Sequence, residues 1–209
     1  MAGGSTVLSD NTLLSRLDQG LMRAERVLAL ISGLAVFSLM FLAVRSVVGR
    51  KFFEAPLPGY VDWIEVLLPL MAVMGIAFVQ REGGHIRMDI LIGRLRGRAL
   101  WAAELLSVVL ILIFVIFLIW GSWAHFDRSF DMSRPLWSRD STIDIGLPVW
   151  PSKLIVPVAF TVLALRLSLQ VWGFGRALIK GIEAPAAVPL YMTIEEQARA
   201  EASHLEGHD

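Results

Sequence analysis

Four histidines are the residues of this chain most suited to bind haem or a metal ion. His85 and His125 each follow a long apolar run. If those runs cross a membrane in opposite directions, the two imidazoles emerge on opposite faces, about 30 Å apart, and cannot ligate one haem. His204 and His208 have the i, i+4 spacing with which a helix can chelate a metal ion, but they lie in a charged tail that shows no partner motif. The histidines therefore predict neither a cofactor nor a metal.

The other chemical groups do not predict an enzyme. The chain has no cysteine, and no HExxH, GxSxG, Gly-rich phosphate loop or paired-acid arrangement is present. Three ionisable residues, Glu65, Glu104 and Arg166, fall inside apolar runs. We expect both glutamates to stay hydrated near a head-group layer, and the Arg166 guanidinium to extend along its apolar stem to the interface. The alternative is a buried contact between one of these groups and another membrane subunit.

The elements that position these residues are predicted to be membrane-spanning helices. Of the 209 residues 56% are hydrophobic and only 18% are charged, which is too little charge to cover a soluble domain. Apolar runs of about 20 residues cross a bilayer as helices, because lipid offers no partner for unpaired amides. The first run begins only at Val27, so we expect it to be retained as an anchor rather than cleaved as a signal peptide. We predict an all-α integral membrane protein with a tail at 1–23, a transmembrane domain at 24–173 with spans at about 27–48, 63–80, 100–123 and 153–173, and a tail at 174–209.

Tryptophan and arginine positions support this arrangement and orient it. Six of the seven tryptophans lie at or beside span ends, where an amphipathic indole ring prefers to lie among lipid head groups. The flanks on the side of both termini carry eleven Lys and Arg residues against seven on the other side. Because cytoplasmic flanks hold the excess, both termini are predicted to be cytoplasmic. Formal net charge is zero, which gives no reason to expect nucleic acid as a partner.

Two segments are predicted to be amphipathic helices in the membrane interface. Leu13, Leu14, Leu17 and Leu21 share one helical face, and the segment 86–98 alternates apolar residues with arginines suited to lipid head groups. Ordinary juxtamembrane connectors are the alternative for both. The longest connection, 124–152, is polar and is predicted to face outward.

A carrier that works alone is not favoured by these spans. Carriers place broken helices and polar groups at the midplane in repeated halves. Here the midplane residues are Leu, Val, Ile, Phe and Met, and no inverted repeat is present. The chain is therefore expected to support another protein.

The stretch from Arg50 to Ile92, together with the entry to the last span, resembles a known family. It contains a Pro-Leu-Pro turn at 56–58, an acidic helix start, and the sequence GGHIRMD at 83–89; IGLPVWPSKLIVPVAF follows later in the chain. These residues resemble the small permease subunit of tripartite ATP-independent periplasmic (TRAP) transporters, the DctQ-like family. That family often has a tryptophan and two adjacent glutamates after the turn, whereas Asp62 and Glu65 stand near that position here.

The resemblance implies a subunit without a transport site of its own. It would brace a large permease subunit in the bacterial inner membrane, while a periplasmic solute-binding receptor delivers an organic acid and an ion gradient, usually of sodium bound by the large subunit, drives uptake. Membrane lipids are the remaining partners. The alternative function is a membrane anchor for a redox or other multisubunit complex. The residues predicted to contact partners or to fix loop geometry are Arg50, Asp62, Glu65, His85, Arg87, Asp89 and Arg166.

Overall fold

The computed structural model describes residues 13–55, 57–82, 98–181 and Val188. Within this part of the chain the regular elements are all helices. The helices are α1 (Leu13–Phe53), α2 (Tyr60–Val73), α3 (Ile76–Arg81), α4 (Arg98–Ser129) and α5 (Trp150–Lys180), with a 3-10 turn at Pro135–Trp137 between the last two.

Four helical segments are long and apolar enough to cross a membrane, which confirms the predicted fold class. They are α1 with 41 residues, α2 and α3 together with 22, α4 with 32 and α5 with 31. At 1.5 Å per residue α1 is about 60 Å long, twice the hydrocarbon thickness. The segment predicted as a separate interfacial helix is instead the first part of α1, and its Leu14 is buried against the bundle. The second predicted interfacial segment, 86–98, lies almost wholly outside the described residues.

The second span is interrupted between Val73 and Ile76. Gly75 lies at the break, where a residue without a side chain weakens a helix interior. The hydroxyl of Ser32 in α1 donates a hydrogen bond of 2.9 Å to the Met71 carbonyl just before the break. A carbonyl of the interrupted span thus has a hydrogen-bond partner in the protein, which a backbone group needs inside a bilayer.

The helix α5 lies in the middle of the bundle. It packs along α4 on one side and against α2, α3 and α1 on the other. Trp101, Val108 and Val115 recur every seven residues, so they share one face of α4, and Trp101 contacts Phe174 of α5 with ring centroids 6.0 Å apart. Trp101 is therefore buried in the core and does not lie among head groups as its position in the sequence suggested.

The two ends of the bundle differ in structure. At the terminal end, α1 begins and α5 ends; at the loop end, α1 ends and α5 begins. The connection between α4 and α5 at the loop end is folded back on itself by isolated bridges, Phe130 with Ser138 and Ser141 with Pro148. Helix α4 continues to Ser129, so this connection is shorter than the predicted 124–152.

Candidate functional site

Arg166 is fully buried in the terminal half of the bundle and pairs with Glu25 of α1. Its Nε donates to Glu25 Oε1 and its Nη2 to Glu25 Oε2, each at 2.7 Å. Neither side chain has any exposed surface. This two-bond geometry is the strongest arrangement that a guanidinium and a carboxylate can form.

Asp18 extends this pair into a cluster that joins three helices. It accepts a hydrogen bond from Arg166 Nη1 through Oδ1, and its Oδ2 accepts from Arg81 Nη2 of α3 at 3.1 Å. Asp18 and Glu25 are seven residues apart, which is two helical turns, so both carboxylates lie on the same face of α1. We call Asp18, Glu25, Arg81 and Arg166 the terminal charge cluster.

The terminal charge cluster is electrically neutral and is extended by polar groups. Two carboxylates balance two guanidiniums, and buried ions are tolerated in a membrane protein chiefly when they are paired in this way. Beside the cluster, Gln80 Nε2 donates to Gln170 Oε1 at 2.9 Å. Arg81 also reaches the carboxylate of Glu82 at 3.0 Å, toward the surface. Within the described residues, both guanidiniums of the cluster thus have carboxylate partners from their own chain.

The structure corrects the expectations for the ionisable residues of the spans. Arg166 does not extend to the interface; it is buried and pairs with Asp18 and Glu25 of its own chain. Glu104 is 5% exposed, so it is buried rather than hydrated. Sequence reasoning missed Asp18 and Glu25 as partners of Arg166, and Arg81 as the second partner of Asp18. The seven-residue spacing of the two acids was the available signal.

Asp62 occupies the first turn of α2 and holds the connection between α4 and α5 at the loop end. Its carboxylate accepts from the Thr142 hydroxyl at 2.7 Å, from the Ile145 amide at 2.7 Å and from the Asp144 amide at 3.1 Å. Thr142 Oγ1 in turn accepts from the Leu147 amide at 2.8 Å. Of the two roles considered for Asp62, these contacts correspond to loop fixing.

The other predicted site residues are either exposed on the helices or lie outside the described part of the chain. Arg50 is exposed in the last turn of α1, and Glu65 is exposed on α2 at the edge of a groove toward α4. His85, Arg87 and Asp89 lie outside the described residues. Their roles stay predictions.

Asp140 fixes the base of the same connection. Its Oδ2 accepts from the Ser129 hydroxyl at 2.6 Å and from Lys153 Nζ at 2.9 Å, which ties the end of α4 to the start of α5. Both contacts lower the pKa of Asp140 below its usual value, and the hydrogen bond from Ser129 has the larger effect.

Asp131 stabilises the tip of the connection. Its carboxylate accepts from the hydroxyl of Ser133 at 2.6 Å, from the Ser133 amide at 3.0 Å and from Arg139 Nε at 3.1 Å. Hydrogen bonds to the ionised form, chiefly from Ser133, lower the pKa of Asp131 to about 2.

The geometry offers structural rather than catalytic chemistry in the part of the chain that is described. No group of three or more His, Asp and Glu side chains there is placed to hold a metal ion. The ionisable groups buried in the terminal charge cluster are bonded to one another. These features define a multi-pass membrane protein whose charged groups hold its own helices together.

The comparison with protein families is consistent with that class. The model of the tripartite ATP-independent periplasmic transporters, DctQ component, matches residues 39–176, about two thirds of the chain. The chain belongs to this family, which confirms the resemblance seen in its sequence. The matched region includes Arg81 and Arg166 but begins after Asp18 and Glu25. No curated protein matches the chain.

Proposed function

We propose that this chain braces the large permease subunit of a TRAP system in the bacterial inner membrane, during uptake of an organic acid driven by an ion gradient. Membership of the DctQ family supports a role in such a system. The receptor that supplies the substrate would be periplasmic, and the terminal end of the bundle would face the cytoplasm, in line with its excess of arginines.

The observation that carries the bracing role is the outer surface of α1. Of the four spans, that of α1 is the least buried within the chain. Large apolar side chains recur on it every three or four residues, which places them on one face. We call this face the α1 stripe; its members are Leu30, Leu34, Phe37, Phe41, Val44 and Val48, all of them exposed.

An apolar stripe on a span suits a partner that is also embedded in lipid. Helices associate in membranes through close packing rather than through the hydrophobic effect, because lipid tails are as apolar as leucine. The support for a protein neighbour is therefore the low burial of the α1 span within its own chain, and the large side chains of the stripe supply the surface against which it would pack. The terminal charge cluster is already neutral within the chain, so it leaves no buried charge for a partner to compensate. A neighbour bound on the α1 stripe would therefore meet apolar side chains, with the exposed Arg45 at their flank.

Co-purification after mild detergent extraction tests this proposal. Replacing Phe37 and Phe41 together with alanine should reduce the amount of large permease subunit that co-purifies with the chain. The matched control replaces Leu110 and Phe114, which are as exposed on α4, and should leave co-purification unchanged. If both pairs behave alike, the α1 stripe is not the bracing surface.

Reconstitution separates bracing from other functions. Liposomes with the large subunit, this chain and the receptor should take up substrate, whereas liposomes with this chain alone should not. Uptake by this chain alone would contradict the proposal. A haem absorbance band on the purified chain would favour the redox-anchor alternative instead.

A further inference from the structure

A groove of about 520 Å³ runs between α2 and α4 near the loop end, with α5 as its floor. This volume lies within the range of about 300–1,000 Å³ that is usual for small-molecule sites. It is separate from the terminal charge cluster and from the α1 stripe. Its lining residues come from the three helices α2, α4 and α5 and from Val149 just before α5.

The packing of the helices explains why the groove is open. Over the described residues, α5 packs extensively against both α2 and α4, while α2 and α4 make few contacts with each other. Gly121 lies on the wall formed by α4, and a Cβ added there would meet no atom within 4 Å. Pro69 lies on the wall formed by α2. A cleft over α5 therefore stays unfilled by the chain itself.

The groove is polar at one end and apolar along the rest of its length. Glu65, His125 and Lys153 line it within three to five residues of the helix ends at the loop end, which is about 4–8 Å along the helix axes. Phe117 and Phe160 line it about 10–12 Å deeper, measured from His125 and Lys153 along their helices. This gradient matches an amphiphile whose head lies at the membrane surface and whose chain points inward.

The charges at the polar end include both signs. Among the described residues the exposed Glu65 carboxylate forms no ion pair, so it is available to accept a cation. Lys153 Nζ contacts Ser129 and Asp140, and an ammonium has three donors, so one N–H remains. His125 adds a second nitrogen donor beside it. An ammonium group and a phosphate group can therefore be bound side by side.

The occupant must come from the bilayer, because α2, α4 and α5 are spans and the deeper part of the groove lies at hydrocarbon depth. We propose that the groove binds one phospholipid with a primary-amine head group. Glu65 accepts the ammonium, Lys153 and His125 donate to the phosphate, and an acyl chain packs past Gly121 between Phe117 and Phe160.

Native mass spectrometry of the full chain tests the proposal directly. The chain is reconstituted into nanodiscs with equal amounts of phosphatidylethanolamine and phosphatidylglycerol, extracted in mild detergent, and its retained lipid is identified. The wild-type chain should retain one phosphatidylethanolamine. Gly121→Leu should lose it, because leucine fills the groove, whereas Gly33→Leu, at an exposed and open position on α1, should keep it.

A second variant tests the head-group contact without altering the shape of the groove. Glu65→Gln should lose the preference for phosphatidylethanolamine over phosphatidylglycerol, and Asp127→Asn, an exposed acid on α4, should preserve it. Equal lipid retention by the wild type and Gly121→Leu would overturn the proposal. So would a preference for phosphatidylglycerol that ignores Glu65, or a photo-crosslinker at Phe117 that captures a protein instead of lipid in native membranes.

Discussion

Replacing Arg166 with methionine is the sharpest test of the terminal charge cluster. Methionine has a similar stem but no charge and no hydrogen-bond donor, so Glu25 and Asp18 lose the contacts that Arg166 makes with them. The cluster then holds two carboxylates and one guanidinium, a net charge of −1 in a buried place. Removing one partner of a buried ion pair costs about 3–5 kcal/mol of unfolding free energy.

That loss is large enough to measure by thermal unfolding of the full chain in detergent. For a protein of 150–250 residues, each kcal/mol shifts the midpoint by roughly 2–4 °C, so we expect Arg166→Met to lower it by about 6–20 °C. The matched control is Arg128→Met on α4, where the arginine is exposed. That variant should stay within about 0.5 kcal/mol of the wild type.

A double variant decides whether charge balance is the cause. Combining Arg166→Met with Glu25→Gln restores neutrality, because Asp18 and Arg81 remain as one pair. The double variant should be more stable than the sum of the two single losses predicts, by about 2–3 kcal/mol. If the losses add to within about 0.5 kcal/mol, the two residues are not coupled and the interpretation of the cluster is wrong.

Three further predictions concern the loop end. Asp62→Ala should release residues 142–145, because it removes the carboxylate that accepts hydrogen bonds from one hydroxyl and two backbone amides there. Limited trypsin digestion should then cleave the connection between α4 and α5 faster than in the wild type. Gly59→Ala should lower the unfolding free energy by about 1–3 kcal/mol, because φ there is 66°. Its control is Gly33→Ala, in open space within helix α1, which should leave the unfolding free energy unchanged or raise it by about 0.5–1 kcal/mol. Thermal unfolding of the two variants measures the difference between them. Asp131 should still be ionised at pH 3 when its carboxyl is titrated by NMR, because its folded pKa of about 2 lies below the usual 3.8. Its contribution to the free energy of unfolding is therefore complete above pH 3.8 and is lost as pH falls through 2. An NMR titration midpoint of this carboxyl near 3.8 would contradict the prediction.

The helices could be predicted from the sequence because a hydrocarbon environment imposes one solution on each apolar run. The same local logic failed at α1. The amphipathic pattern before Val27 suggested a separate interfacial helix, yet residues 13–53 contain no proline, so nothing in the sequence stops the helix between the two parts. The absence of a helix breaker was the better guide there.

The contacts of the ionisable residues could not be predicted in the same way, because they are properties of the folded bundle. Glu25 and Asp18 are separated from Arg166 by 141 and 148 residues. When each span is considered alone, Arg166 is therefore an isolated charge in an apolar helix, and its partners cannot be identified. For Asp62 the signal is weaker still, since two of its three donors are backbone amides, which every residue except proline carries.

The position of the carboxylates bears on how the family fold is completed. The part of the chain matched by the family contains both arginines of the terminal charge cluster, whereas Asp18 and Glu25 lie before it, on the first half of α1. The balancing charges are thus supplied by the stretch of α1 that extends beyond a single membrane thickness. The stretch that follows carries the α1 stripe from Leu30 to Val48, with the exposed Arg45 beside Phe41 at its flank. The terminal charge cluster and the α1 stripe thus lie on one long helix. Its start pairs with its own bundle, and its middle carries the surface that we propose for the large permease subunit.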